Sequence, residues 1–544
     1  MEKPQPIQRT RRTYNQWVAN QTLEDFALRF TAVSARKWSA ARVANTALGS
    51  ISFLALEAIG AAITLSFGFS NAASAILVVG VLIFLTGLPI SYYAARDGVD
   101  IDLLSRGAGF GYLGSTVTSF IYASFTFVFF ALEAAIMSAA LELVFGLPLS
   151  IGYLISALAI IPLVTHGITL ISRFQIWTQP AWILLHLLPF VFIAFQGEDQ
   201  FARWTGFAGV SDTAAGGFDI LLFGAASAVV FSLAAQIGEQ VDFLRFLPPR
   251  DQGNRLAWWS ALIAAGPGWI ILGAAKMFAG SFLAFMAISM LVPAEQAREP
   301  SQLYLLAYGE VFTHPGLALA ATGVFVVLSQ VKINVTNAYA GSIAWSNFFS
   351  RLTRSHPGRV VWLVFNVIIA LMLMELGIYK ALEQTLGLYS ILAVAWVGAL
   401  VADLVVNKPL GLSPARIEFK RAYLYDINPV GVGAMSIAIA IALLAYSGLF
   451  GELCRALASF IALGVAFVAA PVIATVTGGR YYLARTSETC SDADGAARCC
   501  VCDNRFEAPD VAPCPAYSGP ICSLCCTLDT RCRDMCKDGP NPFV

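Results

Sequence analysis

The sequence predicts an all-α polytopic membrane protein that ends in a small cysteine-rich, metal-binding tail. Hydrophobic residues make up 58% of the 544 residues and charged residues only 12%, about half the charged share of an ordinary soluble protein. Ten of the eleven cysteines lie between Cys490 and Cys536, whereas Cys454 stands apart. Basic and acidic residues balance at 34 each, so no net charge recruits nucleic acid. Composition therefore excludes a disordered chain, an ordinary soluble enzyme and a nucleic-acid binder.

Composition divides the chain into three segments. Residues 1–43 are polar and arginine-rich, and we expect them to form a cytoplasmic N-terminal segment. Residues 44–480 hold the apolar stretches and form a transmembrane domain, and residues 481–544 form the cysteine-rich tail. The first 43 residues contain no short apolar run before a small-residue site, so we expect no cleavable signal peptide.

Twelve apolar stretches reach the length of about 20 residues that a helix needs to span a bilayer. Numbered helix 1 to helix 12 in chain order, they are 44–67, 71–94, 109–143, 149–172, 178–196, 219–241, 257–288, 318–340, 359–378, 386–405, 431–450 and 456–477. The lipid bilayer is therefore the first predicted partner of the chain.

Basic residues are distributed unevenly between the predicted loops. The segment before helix 1 and the loops after the even-numbered helices are rich in them, with Arg245, Arg250 and Arg255 after helix 6 as an example. The loops after the odd-numbered helices hold only Arg203, Arg298, Lys380 and Arg455. Because basic loops stay in the cytoplasm, we expect both termini to be cytoplasmic in a multi-pass plasma-membrane protein.

Ionisable residues inside the predicted helices are candidates for function, because burying a charge in a bilayer is costly. They are Glu57, Glu133, Glu239, Lys276 and Lys332. Helix 8 is the most polar, with Lys332, Val335, Thr336 and Tyr339 on one face at helical spacing. This pattern favours a helix that lines a cavity or packs centrally. For Glu133 and Lys276, a purely structural role stays equally open.

Helices 1 and 6 share an unusual composition. Helix 1 contains Gly49, Gly60 and the acid Glu57, and helix 6 contains Gly224, Gly238 and the amide Gln236. Glycine-interrupted helices at matching places in two inverted halves are typical of a transporter binding site. By contrast, the GxGxxG pattern at 109–114 opens a membrane helix and follows no strand, which argues against nucleotide binding. No pattern for catalysis was found, so we expect no enzyme.

Four segments carry a family resemblance. They are residues 23–29 with 36–39, Arg106 with 109–111 and 114–115, residues 242–246, and Asn337 with 340–342. In order and spacing they resemble nucleobase–cation symporters, the purine/cytosine and allantoin permease family, over about residues 20–480. The resemblance implies a LeuT-like five-plus-five inverted repeat with two extra helices. It also implies secondary transport of a small planar nitrogenous solute, such as a nucleobase, hydantoin or ureide, by alternating access.

The resemblance further implies a substrate site formed by helices 1, 3, 6 and 8. Asn337 matches the family's helix 8 amide, and Gln236 and Glu57 lie on helices 6 and 1. The helix 3 aromatic that stacks on the substrate stays open among three residues: Tyr122, Phe125 and Phe129. The family's helix 6 tryptophan is absent here, and Phe231 is the nearest aromatic residue.

Lys332 departs from the family pattern. Aligned on Asn337, it falls near the residues that coordinate sodium in sodium-driven members of the family. An ammonium there would occupy the cation site, so we expect sodium-independent transport. We expect Glu57 to be the partner of Lys332, with a change in their pairing coupling proton loss to the conformational step. A permanent structural ion pair is the alternative.

The tail contains two paired cysteine motifs. Cys499 and Cys502 form the first pair, and Cys522 and Cys525 form the second, nineteen residues later. This spacing is typical of structural zinc sites. Disulfides are the alternative, although a reducing cytoplasm disfavours them. Six further cysteines could complete a second site. The tail also suggests a second function, in which a transporter-like membrane sensor passes ligand occupancy to a cytoplasmic signalling partner.

Overall fold

The computed structural model describes residues 28–194, 199–210, 217–377, 382–486, 495–529 and 531–537. The N-terminal part of the family resemblance at residues 23–27, together with Lys380 and Cys490, lies outside these residues. Within them, nine helices are long and apolar enough to cross a membrane, and a bent pair in helix 1 makes a tenth. Two shorter helices, Leu149–Thr165 and the 17-residue Arg359–Glu375, fall on the two remaining predicted stretches.

The helices follow the predicted order. Their bounds are Ala40–Gly49 and Ala55–Phe67 (helix 1), Phe69–Asp97 (2), Ser115–Phe145 (3), Leu149–Leu158 and Ile161–Thr165 (4), Gly167–Ala194 (5), Ile220–Phe231 and Gln236–Leu244 (6), Arg255–Ala265 and Trp269–Ser289 (7), Pro315–Thr353 (8), Arg359–Glu375 (9), Leu382–Ala402 (10), Pro429–Tyr446 (11) and Ala458–Thr477 (12). A further helix, Pro300–Gly309, lies between helices 7 and 8.

Helices 1 and 6 are both interrupted near their middle, as their composition predicted. The two halves of helix 1 are joined by the 3-10 turn Ser50–Ser52 and bend by 47°. In helix 6 the 3-10 turn Ser232–Ala235 separates the two halves. The predicted start of helix 3 at residue 109 is wrong, because Gly109 and Gly111 adopt positive φ angles of 93° and 80°. These angles lie in a region that glycine tolerates and a helix cannot use.

The most extensive packing joins helix 3 to helix 8, and the second half of helix 1 also packs extensively on helix 7. The latter two backbones approach very closely. A Cβ atom added at Gly60 would lie 1.9 Å from the main-chain oxygen of Met277, and one at Gly280 would lie 2.1 Å from that of Glu57. Only glycine at these positions permits this approach, which fixes the register of helix 7 against helix 1.

The tail folds into two antiparallel hairpins and a short helix. Strands β1 (Ala496–Arg498) and β2 (Arg505–Glu507) form the first hairpin, and strands β3 (Val511–Cys514) and β4 (Gly519–Cys522) form the second. The helix Ser523–Leu528 follows directly. With so few elements, the tail needs an additional source of stability beyond an apolar core.

The tail lies against one end of the helical domain, which we call the tail face. Arg29 of the N-terminal segment forms an ion pair with Asp510 at 3.2 Å, and the N–H groups of Val33 and Ser34 donate to the Glu507 carboxylate at 2.9 Å. The described parts of the N-terminal segment and the tail are therefore on the same face, as an even number of spans requires.

Candidate functional site

The break in helix 1 is stabilised by buried charged side chains. The N–H groups of Leu54 and Ala55, at the start of its second half, donate to the Glu133 carboxylate of helix 3 at 3.2 and 3.1 Å. A carboxylate at a helix N-terminus compensates both the unpaired N–H groups and the helix dipole. Glu133 therefore caps the half-helix.

Lys276 of helix 7 reaches the same break. Its Nζ atom donates to the main-chain oxygen of Ser52 at 3.3 Å and lies 3.1 Å from Oε1 of Glu57. The hydroxyl of Tyr304 also donates to Glu57, at 3.1 Å. The expected pairing of Glu57 with Lys332 is thus corrected. The close approach of helices 1 and 7 at their glycines places Lys276 beside this carboxylate instead.

Lys332 is held by neutral oxygen atoms. Its Nζ atom donates to Oε1 of Gln175 at 2.7 Å, to Oγ1 of Thr178 at 3.0 Å and to the main-chain oxygen of Gln175 at 3.2 Å. Nε2 of Gln175 donates back to the main-chain oxygen of Lys332 at 2.7 Å. Gly49 of helix 1 leaves room for the Gln175 side chain. The ammonium is therefore bound at the meeting of helices 1, 5 and 8 by ligands that would also suit a metal cation.

Helix 8 also presents a stripe of amide side chains. Gln330, Asn334 and Asn337 follow one another at helical spacing and are fully buried. Among the described residues, neither the amide nitrogen nor the oxygen of Asn334 and Asn337 has a hydrogen-bond partner. A buried amide without a partner costs about 1–3 kcal/mol. Such amides indicate a place that another molecule completes.

The second half of helix 6 contacts the break in helix 1. Nε2 of Gln236 donates to the Glu239 carboxylate at 3.0 Å, and Nε2 of Gln240 donates to Oγ of Ser50 at 3.2 Å. Gln240 thereby bridges the two interrupted helices, a role that the sequence did not single out.

The predicted aromatic residues lie in three different surroundings. Phe125 and Phe129 pack together with ring centroids 4.4 Å apart, and Phe129 also contacts Phe53 at the helix 1 break, at 6.4 Å. Tyr122 donates its hydroxyl to Asp242 at 3.0 Å. Phe231 contacts Phe460 of helix 12 at 4.8 Å. Of the helix 3 candidates, Phe129 thus contacts the helix 1 break, whereas the ring of Tyr122 packs against Gly238 of helix 6.

A second buried ionic cluster joins helices 3, 6 and 8 to the segment that follows helix 2. Arg245 lies 3.6 Å from Asp100 and donates to the hydroxyl of Tyr339 at 2.9 Å. Arg351 lies 3.9 Å from Asp102, and Asp242 accepts the Tyr122 hydroxyl. Our site prediction missed this cluster, although the acidic pair Asp100 and Asp102, just after helix 2, could have indicated it from the sequence.

In the tail, the thiols of the two paired cysteine motifs come together. The sulfur atoms of Cys499, Cys502, Cys522 and Cys525 all lie within 4.8 Å of one another. Sγ of Cys499 accepts the N–H groups of Val501 and Cys522, at 3.5 and 3.3 Å. N–H donors of this kind stabilise thiolates at metal sites. The four cysteines can therefore hold a metal ion.

The tail contacts the loop between helices 10 and 11 through ion pairs. Arg421 of this loop forms an ion pair with Asp534 at 2.9 Å, and Lys537 lies 3.4 Å from Asp426. The same loop accepts, through the main-chain oxygen of Asp426, the N–H groups of Leu113 and Gly114 just before helix 3, at 2.7 and 2.9 Å. One loop thus connects the tail to the beginning of helix 3.

Comparison with known proteins supports the fold. No protein-family model and no curated protein matches the chain. The chain is similar to the structure of Mhp1, a nucleobase-cation-symport-1 family transporter, closed with bromovinylhydantoin bound (TM-score 0.58, 15% identity, 84% of this chain and 96% of that one). The inward-facing conformation of Mhp1 gives a TM-score of 0.57 at 16% identity, over 84% of this chain and 97% of that one.

A Na⁺-coupled sialic acid symporter in a substrate-bound outward-open state is similar too, with a TM-score of 0.56 at 15% identity over 85% of this chain and 94% of that one. At such identities, likeness establishes the fold. The predicted LeuT-like architecture and the resemblance to nucleobase–cation symporters are confirmed at that level. The chain is a multi-pass membrane protein with the fold of these transporters, followed by a tail whose four clustered cysteines can hold a metal ion.

Proposed function

We propose that this protein is a secondary membrane transporter for a small planar nitrogenous solute of the nucleobase, hydantoin or ureide class, and that it works by alternating access. The observation that carries the proposal is the pair of buried helix 8 amides, Asn334 and Asn337, whose polar atoms have no hydrogen-bond partner among the described residues. They lie in the fold of a transporter whose structure contains a bound hydantoin. A planar solute with N–H and C=O edges would satisfy an amide on both sides.

The side chains around the two breaks support the proposed substrate contacts. Asn337 and Gln236 read the polar edge of the solute, and the Phe125–Phe129 pair offers a ring surface beside the helix 1 break. Tyr122 and Phe231 take supporting positions, since one is held by Asp242 and the other packs on helix 12.

We further propose that transport is independent of sodium, and the hydrogen bonds of two buried lysines to oxygen atoms support this proposal. Lys332 is bound by three oxygen contacts between helices 5 and 8. Lys276 contacts both the Ser52 carbonyl at the helix 1 break and Glu57. Lys332 is then the internal cation, and Glu57 acts in coupling through its pair with Lys276. Rearrangement of these contacts as the helices move would link proton movement to transport.

We place the protein in the plasma membrane with both termini in the cytoplasm, on the strength of the basic-loop pattern and the shared face of the two ends. In this arrangement residues 1–43, 44–480 and 481–544 are the N-terminal segment, the transport domain and the tail. The tail ion is proposed to be zinc, bound by Cys499, Cys502, Cys522 and Cys525. Four thiolates at this spacing favour tetrahedral zinc.

Uptake of labelled purines, pyrimidines, hydantoins and ureides into proteoliposomes tests the proposal. Uptake of at least one compound should exceed that of empty liposomes and should be the same in sodium and in choline buffer. Asn337→Ala should abolish it, whereas Asn45→Ala, which removes an exposed amide, should not. Failure of every compound to enter would reject transport of this solute class, and a strict sodium requirement would reject the role of Lys332.

A sensor is the second candidate, favoured by the loop that joins the tail to the start of helix 3. Ligand binding in the core could alter this contact and so be passed to a cytoplasmic signalling partner. Such a protein would bind a panel compound without moving it. Binding without uptake, accompanied by ligand-dependent hydrogen exchange in the tail, would favour this function over transport.

A further inference from the structure

Four tail cysteines outside the first thiol group surround a single cavity. Cys514, Cys526, Cys532 and Cys536 all line it, and its volume is about 10 Å³. A space of about this size holds one water molecule, and so also one metal ion. Tyr517, Asp529 and Asp534 also line the cavity, as does Ala422 from the loop between helices 10 and 11.

The fold of the tail directs these cysteines away from the first group. Cys514 ends strand β3, and Cys532 and Cys536 lie in the final described segment. Cys525 and Cys526 are neighbours in the helix Ser523–Leu528. Successive helical side chains point about 100° apart, so Cys525 joins the first thiol group while Cys526 faces the cavity.

The four sulfur atoms are close enough to influence one another. Cys526 interacts electrostatically with each of the other three thiols, Cys514 with Cys532 and Cys536, and Cys536 with Cys532. Among the described residues, only the first group already has the spacing of a metal site, with its ligand atoms within 4.8 Å of one another. Binding of an ion would therefore require the four sulfurs to move inward around the cavity that they already line.

Each thiol group has an arginine beside it. Arg29 interacts electrostatically with Cys522 and Cys502 of the first group. Arg421 interacts with Cys526 and Cys532 of the second group and donates to the main-chain oxygen of Cys526 at 3.1 Å. A divalent ion bound by four thiolates carries a net charge of about −2. A neighbouring guanidinium offsets part of that charge. Arg421 can do this for the second group, as Arg29 can for the first.

We propose that Cys514, Cys526, Cys532 and Cys536 form a second structural zinc site, which makes the tail a two-zinc module. The inference extends the metal part of the proposed function and is independent of transport. The second ion would fix residues 531–537 against Arg421, and hence against the loop that contacts the start of helix 3. The first ion would hold the two hairpins together.

Elemental analysis of the full-length protein, purified in detergent without chelator, tests the proposal. About two zinc ions per chain are expected, each in a tetrathiolate site. One zinc ion would overturn the second site and leave the first intact, and no zinc would reject both. Cys514→Ser with Cys532→Ser should reduce the content to about one ion, while Cys454→Ser, in the helical domain, should leave it unchanged.

Cobalt substitution keeps the test decisive where the double variant folds poorly. Sulfur-to-cobalt absorption of the unmutated protein, titrated with Co²⁺, should rise until about two equivalents are bound. Saturation at one equivalent contradicts the second site. Peptide mapping that finds a disulfide between any two of Cys514, Cys526, Cys532 and Cys536 in the freshly purified protein also contradicts it.

Discussion

Two neighbouring regions of the core treat buried polar groups in opposite ways. At the helix 1 break, the N–H groups of Leu54 and Ala55 meet Glu133, and the carbonyl oxygen of Ser52 meets Lys276. In helix 8, which packs against this break, the amides of Asn334 and Asn337 are equally buried, but no described residue completes their hydrogen bonds.

The difference indicates that the helix 1 break has a structural role, whereas the helix 8 amides are suited to binding a ligand. An interrupted helix exposes backbone groups that could bind an ion or a solute, yet here side chains of the protein itself already occupy those positions. The helix 8 amides have no such internal partner, so a ligand gains most from binding there. The comparison also gives the two deep lysines a role, since both donate hydrogen bonds to buried oxygen atoms of the protein.

The largest effect is expected from Lys276→Met, which leaves Glu57 without its cation. An unpaired buried charge costs about 3–5 kcal/mol, so the variant should give little monodisperse protein and a strongly lowered Tm in detergent. Adding Glu57→Gln should recover much of the loss, because both positions are then neutral. Lys37→Met, at an exposed lysine, is the control. A single variant as stable as the unmutated protein would remove the distinction between the two regions.

Asn337→Ala should produce the opposite pattern, with binding lost and stability kept. Losing a buried hydrogen-bonding group should weaken binding of the best panel compound at least tenfold, about 1.4 kcal/mol or more. The Tm should stay constant or rise, since the amide has no hydrogen-bond partner among the described residues. Calorimetric titration and thermal unfolding measure the two quantities. A large fall in Tm with unchanged affinity would make this amide structural.

Lys332→Met sharpens the comparison between the two lysines. The groups left behind, Gln175 and Thr178, are neutral, and each keeps another hydrogen bond. We therefore expect a loss of only about 1 kcal/mol, far below that of Lys276→Met, together with altered dependence of uptake on pH. Equal destabilisation by both lysine variants would show that Lys332 also has a charged partner.

The smallest effect concerns the contact between the tail and the N-terminal segment. Burial opposes ionisation of Glu507, but the N–H groups of Ser34 and Val33 outweigh it and hold its pKa below the ordinary value of 4.5. This stabilisation is complete above about pH 4.5 and is lost as pH falls through the lowered pKa. Glu507→Gln should weaken the contact by about 1 kcal/mol at neutral pH and remove that pH dependence. Hydrogen exchange at Val33 and Ser34 would detect it, and unchanged exchange would contradict it.

Hydropathy was sufficient to predict the spans, and glycine content to predict that helices 1 and 6 are interrupted, because both are local properties of the sequence. Hydropathy failed at the start of helix 3, where two glycines with positive φ stop the helix. The pairing of Glu57 could not be predicted, since it depends on how closely Gly60 and Gly280 let two helices approach. The first thiol group was predicted from the spacing of its cysteines, because each paired motif brings its own two cysteines together. The second needed the fold, as its four cysteines come from three separate segments.

The ion pair between Arg29 and Asp510 joins residues 481 positions apart, which has a consequence for biogenesis. At a synthesis rate of about 5–20 residues per second, roughly 25–100 seconds separate the appearance of the two residues. During that time the N-terminal segment waits at the membrane surface without its final partner. The contact can form only after Asp510 has emerged, so it follows the synthesis of the whole helical domain and of the first hairpin of the tail. A chain that stalls or terminates early would leave this segment uncovered, where a quality-control protease could recognise it.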